Sequence, residues 1–337
     1  MAYVSGVTVA PLDPDSAADA DVAAMHAVHI AAMTVDSPDD PQPPLADFAL
    51  RLHEQRDDQR RHWFVARSGD DVIGYAKLWL PLLHNLHAGE AEVVVRPESR
   101  RQGTGTALLR EAVAALSSEH RRLLVTSTRG DAGDGFCRTL GLQLVQTARI
   151  SLLRLADVDW ADVRAAAAAE HPGYRIRAYT GACPDDLIDS YVRAKSAMND
   201  APFDDADLTD FVFTADGMRA DEKAAAERGE WRVVLAVHEG SGEVAAFTEV
   251  LATRQPRSSQ HDTAVVPEHR GHGLGLWVKA DMLVRLQEER PDVAALTTGN
   301  SATNAQMLRI NDRLGFRPWS EVRGWQCEVG ELVSRLG

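Results

Sequence analysis

The stretch Val95-Arg96-Pro97-Glu98-Ser99-Arg100-Arg101-Gln102-Gly103-Thr104-Gly105 recurs 170 positions later as Val265-Val266-Pro267-Glu268-His269-Arg270-Gly271-His272-Gly273-Leu274-Gly275. The first valine, the proline, the glutamate, one arginine and the last two glycines coincide. Solenoid repeats have periods of about 20–50 residues. A repeat with this much longer offset therefore indicates a duplicated domain.

The segments around each copy also match in kind. Alternating apolar residues, turns and helix-forming runs predict the same element order twice. Each half begins with a short strand and a helix (17–33 and 185–198), and a pair of strands follows (63–66 with 72–75, and 231–237 with 244–250). Next come a strand that enters the turn (91–95 and 263–266) and a helix that leaves it (104–117 and 274–289). A further strand follows this helix (123–127 and 294–298). This order is typical of an α/β domain.

Two domains also agree with the length of 337 residues, given about 100–200 residues per domain. The alanine run Ala165–Ala169 favours a helix, and the following His171-Pro172-Gly173 ends it. We therefore expect an N-terminal domain over 1–158, a connecting helix over 159–173 and a C-terminal domain over 174–337. The alternative is that this helix is the last one of the first domain.

The composition excludes several classes of protein. The 36 basic and 50 acidic residues give a net charge of −14, which disfavours nucleic-acid binding. No run of about 18 apolar residues predicts a membrane span, and the first residues lack the features of a secretory signal. Cys137, Cys183 and Cys327 form no C-x-x-C pair, which fits a reduced, cytoplasmic protein. The pairs His26/His29 and His84/His87 lack further ligands, so we expect no metal.

The repeated turn predicts an anion site. In each copy a strand ends, a proline fixes the exit, and Arg-x-x-Gly-x-Gly opens a helix. Glycines let a ligand approach the main chain, and the unpaired N–H groups of a helix start attract phosphate. The G-K-[S/T] of a Walker loop is absent. Leu276 stands where a dinucleotide fingerprint needs its third glycine.

The pattern Val-x-Pro-x-x-Arg-x-x-Gly-x-Gly resembles the acetyl-CoA motif of the GCN5-related N-acetyltransferases, the GNAT family. Both halves carry it, so the resemblance covers almost the whole chain as a tandem pair. It implies two tandem GNAT-like domains, each a mixed central sheet flanked by helices, with acetyl-CoA as co-substrate. In the family, the strand before the turn pairs with the pantetheine arm, and the turn amides hold the pyrophosphate.

Carried over residue by residue, the resemblance implies a CoA-binding set in each half. The first half supplies Val93, Val94, Val95, Arg100, Arg101, Gln102, Gly103, Thr104 and Gly105. The second half supplies Thr263, Ala264, Val265, Arg270, Gly271, His272, Gly273, Leu274, Gly275 and Asn304, the last at the place of the family's CoA-contacting asparagine.

The expected general acid is where the sequence departs from the family. Many members carry a tyrosine that protonates the departing thiolate, four residues before the glycine of a Leu-Gly-Phe ending. Asn311 holds that position here and is our candidate catalytic residue. The first half has Gly130 and Cys137 at the asparagine and tyrosine positions, and Leu142 in place of the phenylalanine. We therefore expect a degenerate N-terminal domain and a catalytic C-terminal one.

A proton acceptor is also needed, since an amine with a pKa near ~10.4 is neutral in roughly one molecule in 10³ at pH 7. Glu92 lies three residues before Val95, and Asp262 lies three residues before Val265. Because the two halves repeat this carboxylate, we predict Asp262 and Glu92 as bases. His261 and Glu249 are the rival candidates.

The negative charge is concentrated in two equivalent segments, Asp36–Asp58 with a net charge of −5 and Asp200–Glu230 with −7. In the GNAT family this region forms part of the acceptor wall, and a negative wall attracts a cationic amine. The alternative is a pair of solvated acidic helices.

The sequence thus predicts transfer of an acetyl group from acetyl-CoA to a primary amine of a small, cationic acceptor. The expected partner is that small-molecule amine, with no nucleic acid and no membrane, for a monomer or a homodimer. Two alternatives stay open. One is a mycothiol-synthase-like acetyltransferase. The other is a non-catalytic CoA-binding sensor or partner module, which the missing tyrosine favours.

Overall fold

The computed structural model describes residues 6–336. These form two compact units, each assembled from separate parts of the chain. The first unit contains the residues up to 147, residues 205–210 and the residues from 322 onward, and the second contains 148–204 and 211–321. No helix within residues 6–336 is long and apolar enough to cross a membrane.

The first half of the chain follows the predicted order. Its elements are β1 (Val7–Leu12), α1 (Asp19–Asp36), α2 (Leu45–His53), β2 (Gln59–Ser68), β3 (Asp71–Pro81), β4 (Ala88–Val95), α3 (Thr104–Ser118), β5 (Leu123–Thr128), α4 (Gly130–Thr139) and β6 (Gln143–Arg154).

The second half repeats this order after one additional helix. Its elements are α5 (Trp160–Ala167), β7 (Tyr174–Thr180), α6 (Ile188–Lys195), α7 (Ala215–Arg228), β8 (Gly229–His238), β9 (Val244–Thr253), β10 (Arg257–Val265), α8 (Leu274–Glu289), β11 (Ala295–Ser301), α9 (Ala305–Arg313), β12 (Arg317–Glu328) and α10 (Val329–Leu336).

Each unit has a mixed six-stranded arrangement of the same pattern. In the first unit the strand order is β1-β2-β3-β4-β5 followed by the end of β12, and only the β4–β5 pairing is parallel. In the second unit the order is β7-β8-β9-β10-β11 followed by the end of β6, and only β10–β11 is parallel. The predicted α/β class with two tandem GNAT-like domains is confirmed.

The sixth strand of each unit comes from the other half of the chain. Residues 323–328 of β12 pair with β5, and residues 148–154 of β6 pair with β11. The limits of the compact units are therefore set by which strands pair, whereas the predicted limits of 1–158 and 174–337 assume that each domain is one continuous segment of the chain. The predicted connecting helix corresponds to α5, which belongs to the second unit. There the Trp277 indole of α8 donates a hydrogen bond of 2.9 Å to the carbonyl of Ala167 in α5.

Helices cover both faces of each sheet, because successive strand residues point to opposite sides. In the first unit, Ala76 and Leu78 of β3 belong to the apolar core against α3, while Tyr75 belongs to the core against α1 and α2. In the second unit, one core forms against α8 and another against α6 and α7. The glycine turns lead into α3 and α8, the helices of the cores named first in each unit.

Candidate active site

The two glycine turns have the same backbone conformation. Arg101 and Gly271 hold equivalent positions with φ of +61° and +83°. Gly103 and Gly273 follow with φ of +86° and +75°, and each precedes the first residue of its helix without a side-chain cap. The first N–H groups of α3 and α8 therefore remain without capping side chains and are suited to bind phosphate oxygens.

The parallel strands part as they approach each turn. β4 pairs with β5 over only three residues, Ala88–Glu90 with Leu123–Val125. β10 pairs with β11 over Arg257–Ser259 with Ala295–Thr297. Within residues 6–336, the rest of β4 and β10 has no partner on that side. A main-chain edge thus stays open between the strands, in line with the turn amides.

The arginine of each motif joins the end of the strand before the turn to an acidic side chain, and we call this contact the arginine brace. Arg100 Nε donates to the carbonyl of Val95 at 3.1 Å, and its Nη atoms bind both carboxylate oxygens of Asp36 at 2.7 and 2.9 Å. Arg270 likewise donates to the carbonyl of Val265 at 3.1 Å and binds Asp200. Both guanidinium groups are engaged with the protein, so the turn amides are the direct phosphate donors that the motif offers.

In the second unit a bulge interrupts β10 beside the open edge. Gln260 pairs with Val250 and Thr263 pairs with Thr248, so His261 and Asp262 together oppose Glu249. A bulge redirects side chains at a strand edge. β4 pairs with β3 without such a shift from Glu90 to Val95, so the two units differ here.

Asp262 and Glu249 share one lysine at this bulge. Lys195, the last residue of α6, places Nζ 2.6 Å from Asp262 Oδ2 and 3.0 Å from both carboxylate oxygens of Glu249. The Tyr191 hydroxyl, also on α6, donates to Glu249 Oε1. The Glu249 side chain is only 4% exposed, whereas that of Asp262 is 40% exposed. Asp262 is therefore the carboxylate that an incoming ligand reaches.

Burial raises the pKa of Glu249 to about 7, although the Lys195 ammonium opposes the shift. Burial alone would lower the pKa of Lys195, but Glu249 and Asp262 outweigh it and raise the pKa above its ordinary value. Lys195 therefore stays charged at neutral pH while Glu249 titrates there. His261, the other rival base, is exposed and packs edge-on against Trp231, with ring centres 5.0 Å apart.

The first unit carries different chemistry at the matching place. Lys77 of β3 lies opposite Glu92, where the second unit has Glu249 opposite the bulge. Burial lowers the pKa of Lys77 to about 8, and its Nζ lies 3.9 Å from the Trp79 ring centre. Burial also raises the pKa of Glu92. The first unit thus pairs one acid with a lysine from the neighbouring strand, whereas the second has two acids.

The asparagines predicted on α9 have structural partners. Asn304 caps the helix by accepting a 3.1 Å hydrogen bond from the Met307 N–H. Asn311 is fully buried, and its Nδ2 donates to Asn300 Oδ1 at 2.7 Å. In the first unit, burial raises the pKa of the Cys137 thiol to about 12. Neither Asn311 nor Cys137 is therefore a ready proton donor.

Histidines surround the second turn but not the first. His171 Nδ1–H donates a 2.9 Å hydrogen bond to the carbonyl of His272, and the His171 ring stacks on Trp277 with ring centres 4.3 Å apart. His269 is hydrogen-bonded to the Tyr174 hydroxyl at 3.0 Å. The first turn has Ser99 and Gln102 where the second has His269 and His272.

Many acids of the two acidic segments form ion pairs. In the first segment, Asp36, Asp40, Glu54 and Asp58 pair with arginines. In the second segment, Asp200, Glu222 and Glu230 also pair with arginines. The free negative charge is therefore smaller than the sequence count, which weakens a continuous acidic wall.

Comparison with known proteins gives a family match within the first half of the chain and relatives that align with most of it. The model of the Acetyltransferase (GNAT) family matches residues 23–141. The chain is also 27% identical over 285 residues to the mycothiol acetyltransferases of Mycobacterium sp. strains JLS and MCS, which covers 81% of this chain and 85% of each relative. The match places residues 23–141 in the GNAT family of acetyltransferases.

Solved GNAT structures share the tandem fold. A tandem GNAT protein from the clavulanic acid biosynthesis pathway superposes with a TM-score of 0.78 at 24% identity, covering 96% of this chain and 99% of that one. A GCN5-related N-acetyltransferase from Sphaerobacter thermophilus gives a TM-score of 0.70 at 14% identity and covers 96% of both chains. The GNAT family model itself matches the half that we expected to be degenerate.

Sequence reasoning missed Lys195 and Tyr191 as members of the cluster at the β10 bulge. Both lie on α6, about 70 positions before Asp262, and no local motif marks them. One signal was available, because the whole chain contains four lysines among its 36 basic residues. Three of the four, Lys77, Lys195 and Lys279, are buried.

The arginine brace generates a first prediction. Asp36→Ala leaves the partly buried Arg100 guanidinium without its carboxylate. We expect the free energy of unfolding to fall by about 1–3 kcal/mol, the cost of an unsatisfied buried group, as measured by urea denaturation. Asp57→Ala removes an exposed acid of the same segment and is the control, with an expected change near zero. Equal stability of the two variants would contradict the brace.

Proposed function

We propose that this GNAT protein transfers the acetyl group of acetyl-CoA to a primary amine of a small acceptor, with direct transfer in the second unit. The observation that carries this proposal is the Asp262–Lys195–Glu249 cluster, which lies at a bulge of the strand that leads into the glycine turn. The bound acetyl group and the carboxylate that accepts the proton would thus lie along the same strand, β10.

We infer that both units bind CoA in the same way. The residues present fit a phosphate-bearing ligand, since each turn offers uncapped helix N–H groups beside an open strand edge. In the second unit, Thr263–Val265 would pair with the pantetheine arm and Gly271–Gly275 would hold the pyrophosphate. In the first unit, Val93–Val95 and Arg101–Gly105 would do the same. Acetyl-CoA supplies the activated acyl group.

The acid pair would accept the proton of the acceptor. An acceptor ammonium with a pKa near ~10.4 must lose a proton before attack. Asp262 is the accessible carboxylate, so we assign the direct contact to it. Glu249 has a pKa of about 7, which suits a base at neutral pH. Lys195 joins the two carboxylates by hydrogen bonds to both, so they would act as one site.

Lys195 would allow both carboxylates to be ionised, so that Asp262 can accept a proton from the acceptor. Two adjacent carboxylates repel one another and tend to share a proton. The Lys195 ammonium bridges them, and it leaves one net negative charge when both are ionised. That charge favours a cationic amine as acceptor.

The three cysteines within residues 6–336 are free and buried, which supports a cytoplasmic setting.

A second candidate acceptor is that of the mycothiol acetyltransferases. The 27% identity over 285 residues favours it, because those relatives align across both halves of the chain. A non-catalytic CoA sensor is the remaining alternative. The first unit fits that role better than the second, since Cys137 and Lys77 replace Asn311 and Glu249.

An amine panel tests the proposed activity. The protein is incubated with acetyl-CoA and small amines of different charge, including the acceptor of the mycothiol acetyltransferases, and thiol release is followed with a thiol reagent. We expect turnover with at least one cationic primary amine and little with anionic ones. CoA binding without thiol release for every amine would instead establish a sensor.

Glycine substitutions test which unit turns over. Gly273→Glu places a carboxylate at the start of α8, so it should abolish CoA binding to the second unit and most turnover. Gly103→Glu does the same at the start of α3 and should leave most turnover. Calorimetric titration with CoA and steady-state kinetics measure the two effects.

A control for this experiment separates backbone strain from phosphate repulsion. Gly242 has the same φ of +75° as Gly273, with nothing within 4 Å of an added Cβ. Gly242→Glu therefore imposes similar strain and the same charge in a surface turn between β8 and β9. Its CoA affinity should equal that of wild type. Greater loss of turnover from Gly103→Glu than from Gly273→Glu would move catalysis to the first unit.

Substitution of the acids tests the base. Asp262→Asn keeps the shape and removes the basicity, so kcat should fall by about 10²–10⁴-fold, the usual contribution of a general base, with unchanged CoA affinity. In wild type, kcat/KM should rise with pH through about 7, since Glu249 must lose its proton. Glu249→Gln should remove this rise. Glu92→Gln is the matched control in the first unit, and wild-type turnover of Asp262→Asn across pH 6–9 would rule Asp262 out.

A further inference from the structure

Lys279 is a buried amine that the proposed mechanism does not use. It lies on α8 with 1% of its surface exposed. Within residues 6–336 it forms no hydrogen bond and no ion pair, and its one polar contact is the Phe316 ring, 5.4 Å from Nζ. Burial, the sole cause, lowers its pKa to about 7. An unpaired charge in an apolar interior is costly, so a structural role does not explain it.

Lys279 shares one face of α8 with Gly275, which lies next to the strand that leads into the turn. Gly275 lies four residues earlier, and a Cβ there would lie 3.4 Å from Val265 of β10 and from Ile310 of α9. Residues four apart share one face of a helix. Lys279 therefore lies one turn further along the same face of α8, with its Nζ 5.4 Å from the Phe316 ring centre.

A second unmatched polar group lies close to the same phenylalanine. The N–H of Phe316 donates to the carbonyl of Asn311 at 3.0 Å. Asn311 is fully buried, and in the described part of the chain its Oδ1 has no hydrogen-bond partner. The second unit thus buries an unpaired amine, Lys279, near the Phe316 ring, and an unpaired amide oxygen, Asn311 Oδ1, on the helix that ends just before Phe316 in the chain. Asn311 stands where the resemblance placed the tyrosine that protonates the thiolate.

We infer that Lys279 is the proton donor of the second unit and protonates the departing CoA thiolate in place of the missing tyrosine. This inference rests on the proposed function. As the acceptor nitrogen bonds to the acetyl carbon, the carbon–sulfur bond breaks and the sulfur takes a proton from the Lys279 ammonium. The acid pair holds the proton lost by the acceptor nitrogen. Exchange with water then returns both groups to their starting states.

The first unit provides a natural comparison. Leu109 of α3 lies at the position that corresponds to Lys279, and it is buried in the apolar core. That helix position therefore accepts leucine without loss of the fold. The first unit also has Cys137 in place of Asn311, so it lacks both unmatched groups. Lys279→Leu is consequently a substitution that the other unit already contains.

Lys279→Leu in the full chain tests the inference. We expect CoA affinity to stay unchanged and kcat with acetyl-CoA to fall at least tenfold. The fall of wild-type kcat above pH 7, where Lys279 loses its proton, should disappear. An acetyl thioester of an aromatic thiol, whose thiolate leaves without protonation, should react with wild type and variant at similar rates. A structural role for Lys279 would not produce this dependence on the leaving thiol.

Stability provides an independent readout. The pKa of Lys279 is lower in the folded state than in the unfolded chain, so its cost to stability is complete below about pH 7 and disappears as the pH approaches 10.5, its model value. The Tm of Lys279→Leu should therefore exceed that of wild type, most strongly at low pH. A more stable enzyme that turns over more slowly is the expected combination.

Two results would overturn the inference. One is wild-type kcat in Lys279→Leu while the wild-type protein releases thiol. The other is full activity in Lys279→Arg, because arginine keeps the charge but has no proton to give at neutral pH. Absence of thiol release by the wild-type protein would instead count against the proposed function. The two failures are thus distinguishable.

Discussion

The arginine of each glycine turn is the contact on which the rest of the site depends. Its guanidinium joins the last carbonyl of a central strand to an acid at the end of the first helical segment, Asp36 in one unit and Asp200 in the other. A bidentate or fork-like arginine contact fixes geometry as well as charge. The strand end, the helix end and the turn are thereby held in one arrangement, and the turn N–H groups stay directed outward. The same constraint produces two turns of equivalent backbone conformation.

From this shared frame the two units differ at one cross-strand position. Glu249 on β9 and Lys77 on β3 occupy matching places, and only the second unit has a bulge opposite. The bulge brings Asp262 within reach of the lysine that Glu249 binds. Without it, Glu92 faces a lysine from the neighbouring strand. The second unit thus has two carboxylates around one lysine, whereas in the first unit Lys77 stands opposite Glu92 and no bulge is present.

Local features of the fold could be predicted from the sequence, and distant ones could not. The helix predicted over 274–289 has these bounds in the structure, because the glycine turn that starts it and the spacing of its apolar residues are both local features of the sequence. The exchange of β6 and β12 could not be predicted, since a repeat in sequence does not specify which copy a strand completes. Lys195 was equally hidden, because α6 meets β10 only through the tertiary fold. The assignment of Asp262 as a base stays a prediction.

Buried charge is distributed unequally, and this distribution bears on function. Taking a charge out of water costs several kcal/mol unless it is paired, so a fold keeps such groups where another need outweighs stability. The second unit buries Glu249 beside Lys195, and it buries Lys279, which within residues 6–336 has no hydrogen-bond or ion-pair partner and contacts the Phe316 ring. At the position of Lys279 the first unit has Leu109, an ordinary apolar residue. Its buried Lys77 rests against aromatic rings. Of these groups, Lys279 lies on the helix that follows the second glycine turn and Glu249 lies beside the strand that leads into it, and this placement supports the proposal that the second unit carries out the transfer.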